Sequence, residues 1–142
     1  MKILILVVGR LKEAHFQAAE GDYLSRLKHY APVELREVKD EAALLAALPP
    51  KGKLIALDER GENLSSEEIA TRIIAAEEQH GGGAPLTFAI GGAEGFSPAL
   101  RTRAARLVAF GRITLPHRLA RVVLLEQLYR AYTILRGEPY HK

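Results

Sequence analysis

Short apolar runs alternate with longer stretches of helical periodicity along this chain. Ile3 to Val8 is an unbroken apolar run, the pattern of a strand covered on both faces. Glu13 to Tyr30 follows with Phe16, Ala19, Tyr23, Leu27 and Tyr30 on one stripe, which predicts a helix. Val33 to Val38 opens with a period-two alternation and predicts a strand near a sheet edge. Glu41 to Leu48 predicts a short helix closed by Pro49-Pro50. Leu54 to Leu57 has a buried-strand pattern, and Asp58-Glu59-Arg60-Gly61 reads as its turn. Ser65 and Glu68 form a capping box for a helix to about His80, where Gly81-Gly82-Gly83 stops it. Leu86 to Ile90 is the next strand. Ser97-Pro98 then puts Ser at the N-cap and Pro at the first position of a helix to about Leu107. Val108 to Leu115 holds one more short strand or an extended loop, and Arg118 to Leu135 is the longest helix. The alternation predicts an α/β fold in one domain, residues 1–142, with a mostly parallel sheet covered by helices on both faces.

The last helix is apolar around too much of its girth. Leu119, Val122, Val123, Leu125, Leu128, Tyr129, Tyr132 and Leu135 cover one broad face, and Leu124 and Ile134 widen it. A surface helix normally keeps one solvated side. Two covers fit the excess: a second subunit, most simply in a symmetric homodimer, or a loop of the same chain.

Charge adds a partner to this picture. Residues 101–142 carry nine Lys/Arg against Glu126 and Glu138, a net of +7, while residues 1–100 carry a net of −4. The overall +3 thus hides a dipolar molecule suited to a polyanion. With no cysteine, disulfides and thiolate chemistry are excluded, and the five histidines show no metal-ligand spacing, so no metal is expected. The apolar start is too short and lacks the cleavage site of a signal peptide, and no run approaches a membrane span. A cytoplasmic protein with no membrane partner is the expectation.

Three stretches carry candidate chemistry. Ile90-Gly91-Gly92-Ala93-Glu94-Gly95 follows a strand and precedes a helix, where open α/β sheets bind ligands and glycine permits close backbone approach. It is also readable as a tight β–α turn, and it is neither a dinucleotide fingerprint nor a P-loop. Phe110-Gly111-Arg112-Ile113-Thr114-Leu115-Pro116-His117 is either a plain loop or one whose backbone groups hold an adenine edge. Arg118, Arg121, Arg130 and Arg136, with Tyr129, Tyr132 and Tyr140, offer phosphate contacts and base-stacking surfaces or, singly, structural pairings. They converge on the terminus Gly137-Glu138-Pro139-Tyr140-His141-Lys142.

In order, these elements closely resemble one family. The matching residues are Leu57-Asp58-Glu59-Arg60-Gly61, Leu64-Ser65-Ser66-Glu67-Glu68, Ile90 to Gly95, Thr114-Leu115-Pro116-His117, Leu119 to Val122, Glu126 to Tyr132 and Arg136 to Lys142. The resemblance is to the RlmH family of ribosomal large-subunit pseudouridine methyltransferases, in the SPOUT class, and it runs from Ile3 to Lys142. It implies a parallel α/β sheet with a deep C-terminal trefoil knot around an S-adenosylmethionine pocket. It also implies a homodimer that methylates N3 of a pseudouridine in helix 69 of 23S rRNA on assembled ribosomes. Carried onto this chain, the cofactor residues are Leu57, Gly91, Gly92, Phe110, Gly111, Arg112, Ile113, Thr114 and Leu115, and the tail is expected to reach a site shared with the partner subunit.

The chemistry agrees with that implication. The cofactor brings an activated methyl and no phosphate, so a phosphate-gripping loop is unnecessary. The imide N3 carries a proton that must leave. His141 is the candidate general base, since an imidazole ionises near neutral pH. Tyr140 and Arg130 are candidates to position the base or stabilise its carbonyl oxygens. The competing classes are a non-enzymatic RNA-binding or ribosome-assembly factor and a nucleotide-dependent oxidoreductase, the latter disfavoured by the absent fingerprint.

Overall fold

A computed structural model describes Met1 to Lys142. The elements are β1 (Ile3–Val8), α1 (Ala14–Leu27), β2 (Val33–Val38), α2 (Glu41–Ala46), β3 (Leu54–Asn63), α3 (Ser66–Glu68), a π-helical stretch (Ile69–Ala75), α4 (Ala76–His80), β4 (Leu86–Ile90), α5 (Pro98–Arg103), β5 (Arg106–Ala109) and α6 (His117–Leu135). The strands form one sheet in the order β2-β1-β4-β3-β5, and every pairing is parallel. As the alternation at its start suggests, β2 lies at an edge. None of the helices is long and apolar enough to cross a membrane.

Strand side chains alternate between faces, and both faces are covered. Ile3, Ile5, Val7, Ile55, Phe88 and Ile90 pack under α1, the π-helical stretch and α6 in the larger core. Leu4, Leu6, Leu54, Ala56 and Ala89 face the other way, onto Leu44 of α2 and Leu100 of α5. Burial on both faces explains why these strands read as continuous apolar runs.

Several element boundaries differ from the sequence reading, each for a local reason. Helix α1 stops at Leu27, because the chain must turn in time for Pro32 to accept a hydrogen bond from Ile3 N–H and start β2. Helix α5 stops at Arg103. Ala104 is extended and Ala105 N–H donates to Leu54 O, so β5 begins at Arg106 and residues 110–116 are loop. Strand β3 continues past the expected turn. Leu57 and Glu62 are both in register with Val108, so residues 58–61 leave the ladder and the strand re-enters it. The helix that opens with the Ser65–Glu68 capping box has a π-helical centre, whose wider turn places Ile69, Ala70, Ile73 and Ile74 together in the core.

From edge strand β5 the chain crosses the carboxyl ends of the neighbouring strands, bringing His117 beside Gly9 at the end of β1. It then enters α6, which packs against α1 and the π-helical stretch. The trefoil threading expected of the resembled class is compatible with this path.

Candidate active site

The carboxyl ends of β3, β4 and β5 open into a crevice of about 720 Å³. In open α/β sheets this is where ligands bind, at the point where connections diverge to either side. Its walls come from the bulge after Leu57, the glycine loop after Ile90, the loop after Ala109 and the first turn of α6.

Each loop is shaped by identifiable contacts. In the bulge, Asp58 Oδ1 accepts from Arg60 N–H at 2.8 Å and Oδ2 accepts from Arg101 Nε at 2.7 Å. Burial would raise the Asp58 pKa, but these two donors and their positive charge hold it below the usual carboxylate range. Gly61 lets the bulge close: a Cβ there would lie 2.5 Å from Val108 N. In the glycine loop, a Cβ on Gly91 would meet the Phe96 ring at 3.2 Å, so this glycine makes room for a buried side chain of its own loop. Ser97 caps α5 as expected, accepting from Leu100 N–H, and its own N–H and hydroxyl both donate to the Glu41 carboxylate on α2. That tie from the smaller core to the site was not foreseen.

The crevice presents apolar walls with backbone polar groups between them. Leu57, Ile90, Val108, Phe110, Ile113 and Leu115 supply the apolar surface. Residues 110–115 and Gly91 neither donate nor accept any backbone–backbone hydrogen bond outside regular elements, and Gly92 contributes only a carbonyl, to Gly95 N–H. Such a surface suits a flat heterocycle whose edge needs donors and acceptors. Of the nine residues assigned to the cofactor by resemblance, eight line the crevice; Arg112 is exposed and does not.

A second polar cluster lies at the far end of α6. Arg130 pairs with Glu126 at 2.7 Å, Tyr140 donates its hydroxyl to Glu126 at 2.7 Å, and the Arg130 guanidinium lies 4.8 Å from the Tyr140 ring centroid. Tyr129 meets Tyr140 edge-on at 4.7 Å, and Tyr30 donates to Glu138. Burial would raise Glu126, yet Arg130 and Tyr140 hold it below the usual range. Burial, Tyr23 and Glu126 push the Tyr140 phenol up, so it stays a donor. His141 lies between Arg130 and Glu67. The structure thus brings His141, Tyr140 and Arg130 together, but not to the crevice of the same protomer. His117 and Arg130 are thirteen helical residues apart, about 20 Å at 1.5 Å per residue.

Besides Arg130, two more arginines offered as phosphate contacts are engaged within the protomer. Arg121 is 1% exposed, bidentate to Glu20 and bonded to Glu37, and is a structural residue. Arg118 pairs with Glu13 at 2.9 Å on the surface. The signal for Arg121 was its place on the apolar stripe of α6, which charge counting overrode.

Comparison with known proteins covers the whole chain. The profile of the family described as Predicted SPOUT methyltransferase matches residues 1–141. The chain is 42% identical to the ribosomal RNA large subunit methyltransferase H of Geotalea uraniireducens, with 99% of each chain covered. It is 43% identical to the protein of that name from Carboxydothermus hydrogenoformans, with 100% of each covered, and 43% identical to that from Koribacter versatilis, covering 99% and 98%. Among solved structures it is similar to the A. aeolicus TrmH/SpoU tRNA modifying enzyme, at 13% identity and a TM-score of 0.49, covering 96% of this chain and 77% of that one. With a parallel sheet, a crevice at its carboxyl ends and a family match over residues 1–141, the chain belongs to the SPOUT methyltransferase family.

Proposed function

We propose that this chain is an S-adenosylmethionine-dependent 23S rRNA methyltransferase that modifies N3 of a pseudouridine in helix 69 on assembled ribosomes, acting as a homodimer. The observation that carries this reading is full-length similarity, at 42% and 43% identity, to relatives named for rRNA methylation. The crevice supports it. Its apolar walls and free backbone groups fit an adenosine, and no phosphate grip is needed. When bound, the cofactor supplies a sulfonium-activated methyl group. Leu57, Gly91, Gly92, Phe110, Gly111, Ile113, Thr114 and Leu115 would hold it.

The tail explains why two subunits are required. Leu119 is 36% exposed, and Val122 and Val123 beside it are only partly covered, so α6 keeps an unpartnered apolar stretch near its start. An antiparallel α6 pair centred near Val123 sets Arg130 of one subunit alongside the first turn of α6 of the other. Arg130, Tyr140 and His141 would then reach the second crevice. There, Arg130 N–H groups are suited to carbonyl oxygens on which charge develops as N3 loses its proton.

The test is methyl transfer from labelled cofactor to ribosomes that lack the helix-69 modification. The expected result is incorporation at N3 of one pseudouridine. No incorporation by a protein that binds the cofactor would reject the substrate assignment.

A further inference from the structure

The tail is held to its own protomer by a side chain that lies outside it. The capping box of Ser65 and Glu68 fixes the start of α3, so the adjacent Glu67 projects from a defined backbone. Its Oε1 meets His141 Nε2, and Arg130 Nη1 lies 3.0 Å from His141 Nδ1 across the ring. A guanidinium has N–H donors and no acceptor. Nδ1 must therefore accept, which leaves it without a proton. An ionised carboxylate only accepts, so Nε2 carries the ring hydrogen and donates it to Glu67. The imidazole is neutral in this arrangement, its tautomer is set, and its one lone pair is taken. A second proton, on Nδ1, would turn an N–H towards the N–H of a cation. The charged and titratable groups facing this part of the tail are Glu67 from α3, Arg130 with its partner Glu126 from α6, and Tyr140, bonded to Glu126.

We infer that Glu67 is a positioning residue for the reaction: with Arg130 it fixes His141 as a neutral Nε2–H imidazole that orients the tail and does not accept the substrate proton. The inference rests on the reading of the tail as part of the methyl-transfer site. It departs from the sequence expectation that His141 is the general base. The proton released from N3 then passes to water.

The test pairs a spectroscopic signature with a rate. Long-range proton–nitrogen spectra of protein labelled with ¹⁵N-histidine, at neutral pH, should show His141 with a protonated Nε2 and a bare Nδ1. Glu67→Gln keeps an acceptor for Nε2–H and should preserve that pattern and most of the single-turnover rate on unmodified ribosomes. Glu67→Ala should mix the tautomers and lower the rate by about 10- to 100-fold, the scale on which outer partners act through the histidines of metal sites. Its cofactor Kd, from calorimetry, should be unchanged. A parent spectrum with Nδ1–H would overturn the inference. So would Glu67→Ala with an unaltered spectrum, or with an altered spectrum and an unaltered rate. Parent protein that shows the fixed tautomer but methylates no ribosome would instead overturn the functional reading beneath it.

Discussion

Gly61 and Asp58 show how single residues set the shape of the crevice. A methyl on Gly61 would press on backbone atoms of β5, at 2.5 Å from Val108 N and 2.6 Å from Leu107 C, and neither atom can move without disturbing the ladder. Gly61→Ala should therefore cost at least about 2 kcal/mol in urea unfolding and widen or misplace the bulge. Asp58 has a depressed folded pKa. Its stabilising contribution is complete above the ordinary carboxylate range of about 4 and is lost as pH falls through the lower folded value. Asp58→Asn should lower stability at neutral pH by about 1–2 kcal/mol, with a shallower loss on acidification than the parent shows. Identical acid limbs in chemical denaturation would remove Asp58 from that account. Contacts local in sequence were legible at this scale: Ser97 as an N-cap and Ser65 with Glu68 as a capping box follow from spacing alone. The partners of Arg121, 101 and 84 positions away, and Glu41, 56 positions from Ser97, were not, because only the folded chain brings them together.

Whole elements were legible where hydrophobic period and length agreed. Strands β1, β2 and β4 fall where their apolar runs predict them, and the edge position of β2 follows from its half-polar pattern. The π-helical centre was hidden, since Ile69, Ala70, Ile73 and Ile74 also fit an ordinary amphipathic helix. The return of β3 to the ladder was hidden too, because Glu62 and Asn63 carry no apolar signal. Helix α6 separates two roles that its excess apolar girth had merged. Leu128 is fully buried in the protomer core, so Leu128→Asp should unfold the chain, at a cost on the order of 4 kcal/mol or more. Val122 is only partly covered. Val122→Glu should leave the protomer folded by circular dichroism yet shift sedimentation from dimer to monomer at micromolar concentration. A native protein that sediments as a monomer would dispose of the proposed pairing.

The molecule as a whole combines a net charge of −4 over residues 1–100 with +7 over residues 101–142. Much of that positive charge is paired internally, as Arg101, Arg106, Arg118, Arg121 and Arg130 show. Arg112 is exposed, has no ion-pair partner and stands in the loop at the mouth of the crevice. Arg112→Ala should weaken ribosome binding and flatten the log–log salt dependence by about 1, with cofactor affinity nearly constant. Equal slopes for variant and parent would deny it a phosphate. The order of the strands and the threading of the chain were not legible from residue patterns; the order came with the folded chain, and the knot was expected through resemblance alone. One consequence reaches beyond chemistry. Helix α6 opens at the crevice, runs through the core by way of Leu124, Leu125 and Leu128, and ends under the tail, so almost every turn answers to a different requirement. By contrast α2 buries Leu44 alone. A saturation scan selected for activity should show α6 as a nearly unbroken band of intolerance and α2, Glu41, Leu44 and Leu45 apart, as far more variable, because the crowding of duties on the long helix leaves the short one room to drift.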